Sequence, residues 1–281
     1  MSMQLRVVHR TTYTYDGKAV ASYNQARLTP VTTPDQIVVH SRLEISPKPW
    51  TFEYRDYFGT QVTAFEVVDP HESMTVTATS TVHVNRPPVP QPATTWPELT
   101  RREVADRWTE YLMLPTAVAP PEDFAVRCRE VASAAALPGH AARRLCALVA
   151  EEVRYVPGAT DVLTPAAATW EQRAGVCQDM AHLVIGGLRS LGIPARYVSG
   201  YFHPYPSPAV GEPTEGASHA WVEWWDNGWH PFDLTSSVQP DDRYVVVATG
   251  RDYDDVKPLS GIYSGAGTSA MEVSVELTRL A

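Results

Sequence analysis

From Met3 to Val84 apolar residues recur at every second position. Met3, Leu5 and Val7 alternate with polar neighbours, as do Ile37, Val39, Leu43 and Ile45. Trp50, Phe52 and Tyr54 follow, and Met74, Val76, Ala78, Val82 and Val84 form the longest run. A strand turns successive side chains to opposite faces, so this period predicts strands with one apolar face. Asp16-Gly17, Pro30, Pro34, Pro47, Pro49, Phe58-Gly59 and Asp69-Pro70 punctuate them at the short spacing of an antiparallel sandwich or barrel. Residues 86–97 then carry five prolines in twelve positions, which suits a stiff, extended spacer and no regular element.

Beyond the prolines the period becomes helical, near 98–113, 122–136 and 140–153. Thr164-Pro165 predicts a further helix start, with the threonine as cap and proline in the first turn, where its missing N–H costs nothing. Residues 177–191 read as a helix closed by Gly192 and Pro194. Strand-like stretches follow at 195–202, 218–225, 229–234, 244–248 and 271–277. The chain is therefore expected to be α+β. An N-terminal antiparallel β-sandwich (1–85) and a Pro-rich linker (86–97) precede a second unit (98–281), with helices packed on an antiparallel sheet.

At 281 residues, 44% hydrophobic and 20% charged, the chain has globular composition. Its net charge of -9 opposes the field that would hold a phosphate backbone or an anionic bilayer, so neither nucleic acid nor membrane is an expected partner. The first residues alternate without an apolar signal core, and no run approaches a membrane span, so a cytoplasmic location is expected. The three cysteines, Cys128, Cys146 and Cys177, form no CxxC pair and supply neither a disulfide framework nor a four-cysteine zinc site. Cys128 and Cys146 fall inside apolar helical patterns and read as inert core thiols.

Cys177 differs, because it opens a helix directly after Gly175-Val176. Unpaired amides and the positive dipole end there favour thiolate. The dipole contributes roughly 0.3 to 2 kcal/mol, which moves a thiol by at most about one and a half pKa units. A nucleophile ionised below neutral pH needs a cationic partner, and an imidazolium can also return its proton to the leaving group. Among nine histidines, His219 lies in a strand that turns at Asp226-Asn227-Gly228 and returns through Asp233. A two-residue loop would put His219 and Asp233 on opposite faces. A three-residue loop with a left-handed Gly228 sets His219 opposite Thr235 and makes Asp233 its same-face diagonal neighbour, within reach of an imidazole hydrogen bond. That register also buries Ala220, Val222, Trp224, Phe232 and Leu234 together and leaves Trp221 and Glu223 on the histidine's face. The bulged loop is therefore expected. His182, about 140 degrees round the helix from Cys177, is read as structural, and His140, His203 and His230 as surface or loop residues.

The segments Gly175-Val176-Cys177-Gln178-Asp179-Met180-Ala181-His182-Leu183, Leu191-Gly192-Ile193-Pro194-Ala195-Arg196-Tyr197, Ser218-His219-Ala220-Trp221-Val222-Glu223 and Phe232-Asp233-Leu234-Thr235 resemble the bacterial transglutaminase-like superfamily. The all-β first unit resembles the N-terminal region that accompanies this core. The resemblance implies a papain-like core, with Cys177 as nucleophile, His219 as base and acid, and Asp233 as its orienter. It implies attack on a peptide or protein carboxamide through a Cys thioester, resolved by water or by an amine, without a cofactor. The Cys177 amide is the natural oxyanion donor, with Tyr155 or Gln172 as a second. Trp221 is a candidate for the substrate cleft, and the loop at 201–217 for its border. Zinc held by Cys177, His219 and Asp233 lacks a fourth ligand nearby. The competing reading is a catalytically inert binding protein of the same fold.

Overall fold

A computed structural model describes residues 2–265 and 267–281. The two-residue period gives five strands: β1 (Met3–Ala26), β2 (Gln36–Ser46), β3 (Trp50–Arg55), β4 (Gln61–Val67) and β5 (His71–Val84). Helices follow as α1 (Trp96–Leu99), α2 (Arg102–Arg107), a 3-10 turn (Thr109–Tyr111), α3 (Glu122–Ser133) and α4 (Pro138–Glu152). Then come β6 (Arg154–Tyr155), α5 (Ala166–Gln172), β7 (Ala174–Gly175), α6 (Cys177–Ser190) and β8 (Ala195–Phe202). The chain continues through β9 (Pro213–Gly216), β10 (Ser218–Trp225), β11 (Trp229–Phe232), β12 (Tyr244–Gly250), α7 (Tyr253–Val256), β13 (Leu259–Gly265) and β14 (Ser269–Arg279).

β1 is long enough to serve two halves of one eight-stranded antiparallel sheet. Its first part pairs with β5 and β14, and its last part with β4 and β13. The halves close on each other as the expected sandwich, with Tyr15, Phe65, Val67, Met74 and Val76 in a common apolar cluster. The strand at 271–277, assigned by sequence to the second unit, lies in β14 and pairs with β1 instead. Alternation specifies which face a strand buries and leaves its partner open. β9 joins the same sheet at its outer edge, against β14. The second unit is thus enclosed in sequence by strands of the first.

The predicted helix at 98–113 breaks into three pieces. Arg101 is extended, and α2 buries no residue that could hold a longer helix down. α5 begins one residue later than expected: Pro165 occupies the cap position, and the Thr164 hydroxyl bonds Asp161 instead.

The second sheet runs β11-β10-β8-β12. Ala220, Val222 and Trp224 on one face pack with Ala181, Leu183, Val184 and Leu188 of α6 in a core that also takes in Leu5, Val82 and Leu277 of the first sheet. The two units therefore share one interior. On the sheet's other face, Val31 packs with Val198, Trp221, Tyr244 and Val246, and the buried Gln36 side chain pairs with the edge of β12. Its amide donates to the Val246 carbonyl (2.7 Å) and accepts from the Val246 N–H (2.8 Å). The proline-rich segment is a strap laid on this unit, since Ala93 and Thr94 donate their N–H groups to Asp226.

α6 packs closely enough that a Cβ on Gly186 would lie 1.7 Å from the Val118 carbonyl oxygen. Gly186→Ala is expected to cost about 3 kcal/mol or more, because backbone must move to admit the methyl. Urea unfolding checks this.

Candidate active site

Cys177 is the first residue of α6, and Val176 before it is extended and offers no polar cap. Asp179, one turn in, takes that place. Its Oδ2 accepts from the Val176 N–H (2.7 Å) and from the Thr160 hydroxyl (2.6 Å). Burial raises the Asp179 carboxyl above its ordinary value, against the opposing pull of these two bonds. A Cβ at Gly175 would lie 2.8 Å from that same Oδ2, so glycine is what lets the carboxylate fold back. The first-turn amides at Cys177 keep no intrahelical acceptor. Asp179 was missed in the sequence, although an acidic residue at the third helical position is the legible half of a capping box.

His219 comes from β10, opposite Gly200 of β8. The hairpin pairs Trp225 with Trp229 and Val222 with Phe232, which is the three-residue loop expected from sequence. The left-handed residue in it is Asn227, not Gly228. Asparagine tolerates that region because its short amide can bond locally, so the loop has two residues able to take the turn and the sequence pattern does not rank them. His219 Nε2 lies 2.9 Å from Asp233 Oδ2. That leaves Nδ1 for Cys177, whose sulfur is near enough to help raise the imidazole.

Asp233 is fully buried and accepts from three residues. Besides the imidazole, the Tyr244 hydroxyl donates to Oδ2 (2.7 Å), while the Thr235 N–H (3.0 Å) and hydroxyl (2.8 Å) donate to Oδ1. Burial alone would favour the neutral acid, but His219 and these donors hold the carboxyl down at about 2. For His219, burial opposes the charge, and the bonds and charges of Asp233 and Cys177 more than offset it, raising the imidazole to about 9. The group is therefore an imidazolium at neutral pH, set between sulfur and carboxylate. Tyr244 and Thr235 went unread. Thr235 beside Asp233 is a local Asx-type turn that the sequence permits, whereas Tyr244 arrives from β12 and leaves no local signal.

Trp221 does not line a cleft. It shares the face of His219 as expected, but its ring is fully buried under that histidine, against Tyr244 and Val198. The face it shares is covered by the first unit, which single-strand patterning could not reveal. Parallel pairing of β6 with β7 sets Tyr155 beside Gly175. Tyr155 is about half exposed, and its hydroxyl is raised by burial and by the charges of Cys177 and Asp233. Gln172 is exposed at the end of α5.

His182 is buried and accepts from the Tyr253 N–H, a structural role, and burial lowers it to about 4. His203 and His230, expected at the surface, are both buried, His230 bonding the Asp226 carbonyl. Cys128 and Cys146 are buried, and burial pushes the Cys128 thiol up to about 12.

Residues 5–83 match the bacterial transglutaminase-like N-terminal region, and residues 125–234 match the transglutaminase-like superfamily core. An uncharacterized protein of Mycobacterium leprae is 43% identical over 283 residues, covering 99% of each chain. A protein-glutamine gamma-glutamyltransferase of Pseudomonas aeruginosa is 29% identical over 160 residues, 52% of this chain and 23% of that protein. The crystal structure of a proposed cysteine protease from Cytophaga hutchinsonii superposes with a TM-score of 0.80 at 22% identity, over 100% of this chain and 92% of that one, and it shares the fold. With both units matched in order and a full-length relative at that identity, the chain belongs to the transglutaminase-like superfamily.

Proposed function

We propose that this protein is a cysteine-nucleophile enzyme that cleaves or transfers the acyl group of a peptide or protein carboxamide. The observation that carries the reading is His219, held at 2.9 Å by a buried Asp233 and near enough to Cys177 for the sulfur to help raise the imidazole. The Cys177 thiolate attacks the carboxamide carbon. The tetrahedral oxyanion is received by the free Cys177 amide at the helix start, with the Tyr155 hydroxyl close by. The C–N bond then breaks, the amine leaves with the proton from His219, and a thioester remains. Water or an amine attacks the thioester, gives its proton to His219 and returns the thiolate. Asp233 keeps the ring aligned and stabilises its charge throughout. Since His219 loses its proton near 9, kcat/KM is expected to fall as pH rises through about 9, when no acid remains for the leaving amine.

Alkylation tests this without knowledge of the substrate. Cys128 and Cys146 are buried, so iodoacetamide reports on Cys177 in the folded chain. An isolated thiol of pKa about 8.5 is roughly 0.3% ionised at pH 6, so Cys177 should label ~10–100-fold faster than the unfolded chain, allowing for the lower nucleophilicity of a stabilised thiolate. His219→Ala should abolish that excess. Labelling at the unfolded rate, or unchanged in His219→Ala, would leave the inert binding protein as the better reading.

A further inference from the structure

A cavity of about 490 Å³ lies between the β3–β4 hairpin tip, the loop at 31–35, the proline-rich strap and the covered face of the four-stranded sheet. Cys177, His219 and Asp233 are not among its walls. Glu223 lines it from the same strand as His219, four residues along and thus roughly 13 Å away, with the buried Trp221 ring between them. The volume suits a small organic molecule.

Arg86 lies in the wall with its side chain only 6% exposed. Its Nε, sealed from solvent, has no partner among the described residues. Nη2 donates to the Tyr244 carbonyl at 3.3 Å, and Nη1 stands 3.8 Å from the Asp35 carboxylate, which is itself 38% exposed. A guanidinium carries five donors, and a buried cation is ordinarily held by short, charge-assisted bonds. Arg196 in the same cavity shows the difference, meeting Glu223 at 2.6 Å. With Arg55 at the hairpin tip, the cavity holds three arginines against two carboxylates, Asp35 and Glu223, in a chain of net charge -9. Pro87, Pro88, Val89, Val31, Phe58 and Trp229 supply an apolar part of the remaining wall, with Thr32, Thr33, Thr60 and Thr249 among its polar residues.

We propose that this cavity binds a small organic carboxylate with an apolar body, its charge taken by the under-partnered Arg86 and its body by the proline-rich wall and Trp229. The anion bonds the guanidinium at its Nη1 edge, where the Asp35 contact is long at 3.8 Å, and the walls displace water from the rest of the ligand. The site is separate from the proposed catalytic centre.

Three probes test it on the full chain: 3-phenylpropionate, its neutral amide, and inorganic phosphate. At millimolar concentration 3-phenylpropionate is expected to raise Tm by roughly 3 °C, and the other two by less than a quarter of that. Arg86→Gln should remove the shift. Val89→Trp fills the cavity while keeping Arg86, and should also remove it, which decides the matter if Arg86→Gln does not fold. Iodoacetamide labelling of Cys177 should not change with the ligand present. An equal shift from the amide or from phosphate, a shift that persists in both variants, or protection of Cys177 would each overturn the assignment.

Discussion

Cys177→Ala is expected to reduce turnover by about 10⁴–10⁶-fold while the fold survives, because removal of the bond-forming atom leaves only binding and oxyanion contacts. Cys177 is partly exposed at the edge of the core, so the stability change should stay below about 1 kcal/mol. Cys177→Ser sharpens the result. A hydroxyl is not ionised at neutral pH and needs a base to take its proton, whereas Asp233 still favours the protonated ring. Serine should therefore be nearly as inactive as alanine. The measurement is product mass from a peptide library with and without a primary amine, which separates cleavage, deamidation and cross-linking. Activity in Cys177→Ala within tenfold of the parent would remove this sulfur from the reaction.

Asp233→Asn is expected to slow turnover by roughly 10³–10⁴-fold, since the amide can present an N–H to Nε2 and favour the wrong tautomer. It should also destabilise the fold by about 2–4 kcal/mol, because three residues donate to the buried carboxylate, and Tyr244 and Thr235 would lose a charged acceptor. The pH dependence has two limbs. Asp233 is lowered from an ordinary 3.8 to about 2, so its contribution is present above 3.8 and lost as pH falls through 2. His219 is raised from 6.5 to about 9, so its contribution is complete below 6.5 and lost as pH rises through 9. The stability gap between parent and variant should be widest from about pH 4 to 6.5 and close on both sides. Urea unfolding across pH measures it, and a gap independent of pH would mean that the carboxylate is not ion-paired as described.

What the sequence revealed follows the range of the forces involved. The hairpin register was readable because a one-residue change would have exposed Val222 and Trp224, and burial of that face admits one loop length. The start of α6 was readable from Gly175 and the helical period. Trp221 was misread because its neighbours Val198 and Tyr244 come from other strands, and Val31 from the other unit. β2 shows a local failure of alternation. A bulge between Val38 and His40 leaves Ile37 and Val39 exposed, although Leu43 and Ile45 beyond it turn inward as predicted. The partners of Asp233 were half legible, Thr235 being adjacent in sequence and Tyr244 not.

β1 and β14 stand side by side in one sheet although more than 240 residues of chain separate them. At ~5–20 residues per second, a ribosome leaves β1 without that neighbour for on the order of tens of seconds. During this interval a long strand offers unpaired backbone to any nascent chain nearby, a hazard for expression and refolding. The same arrangement delays maturation of the segment before His219, which has no lasting seat until β14 arrives to receive β9.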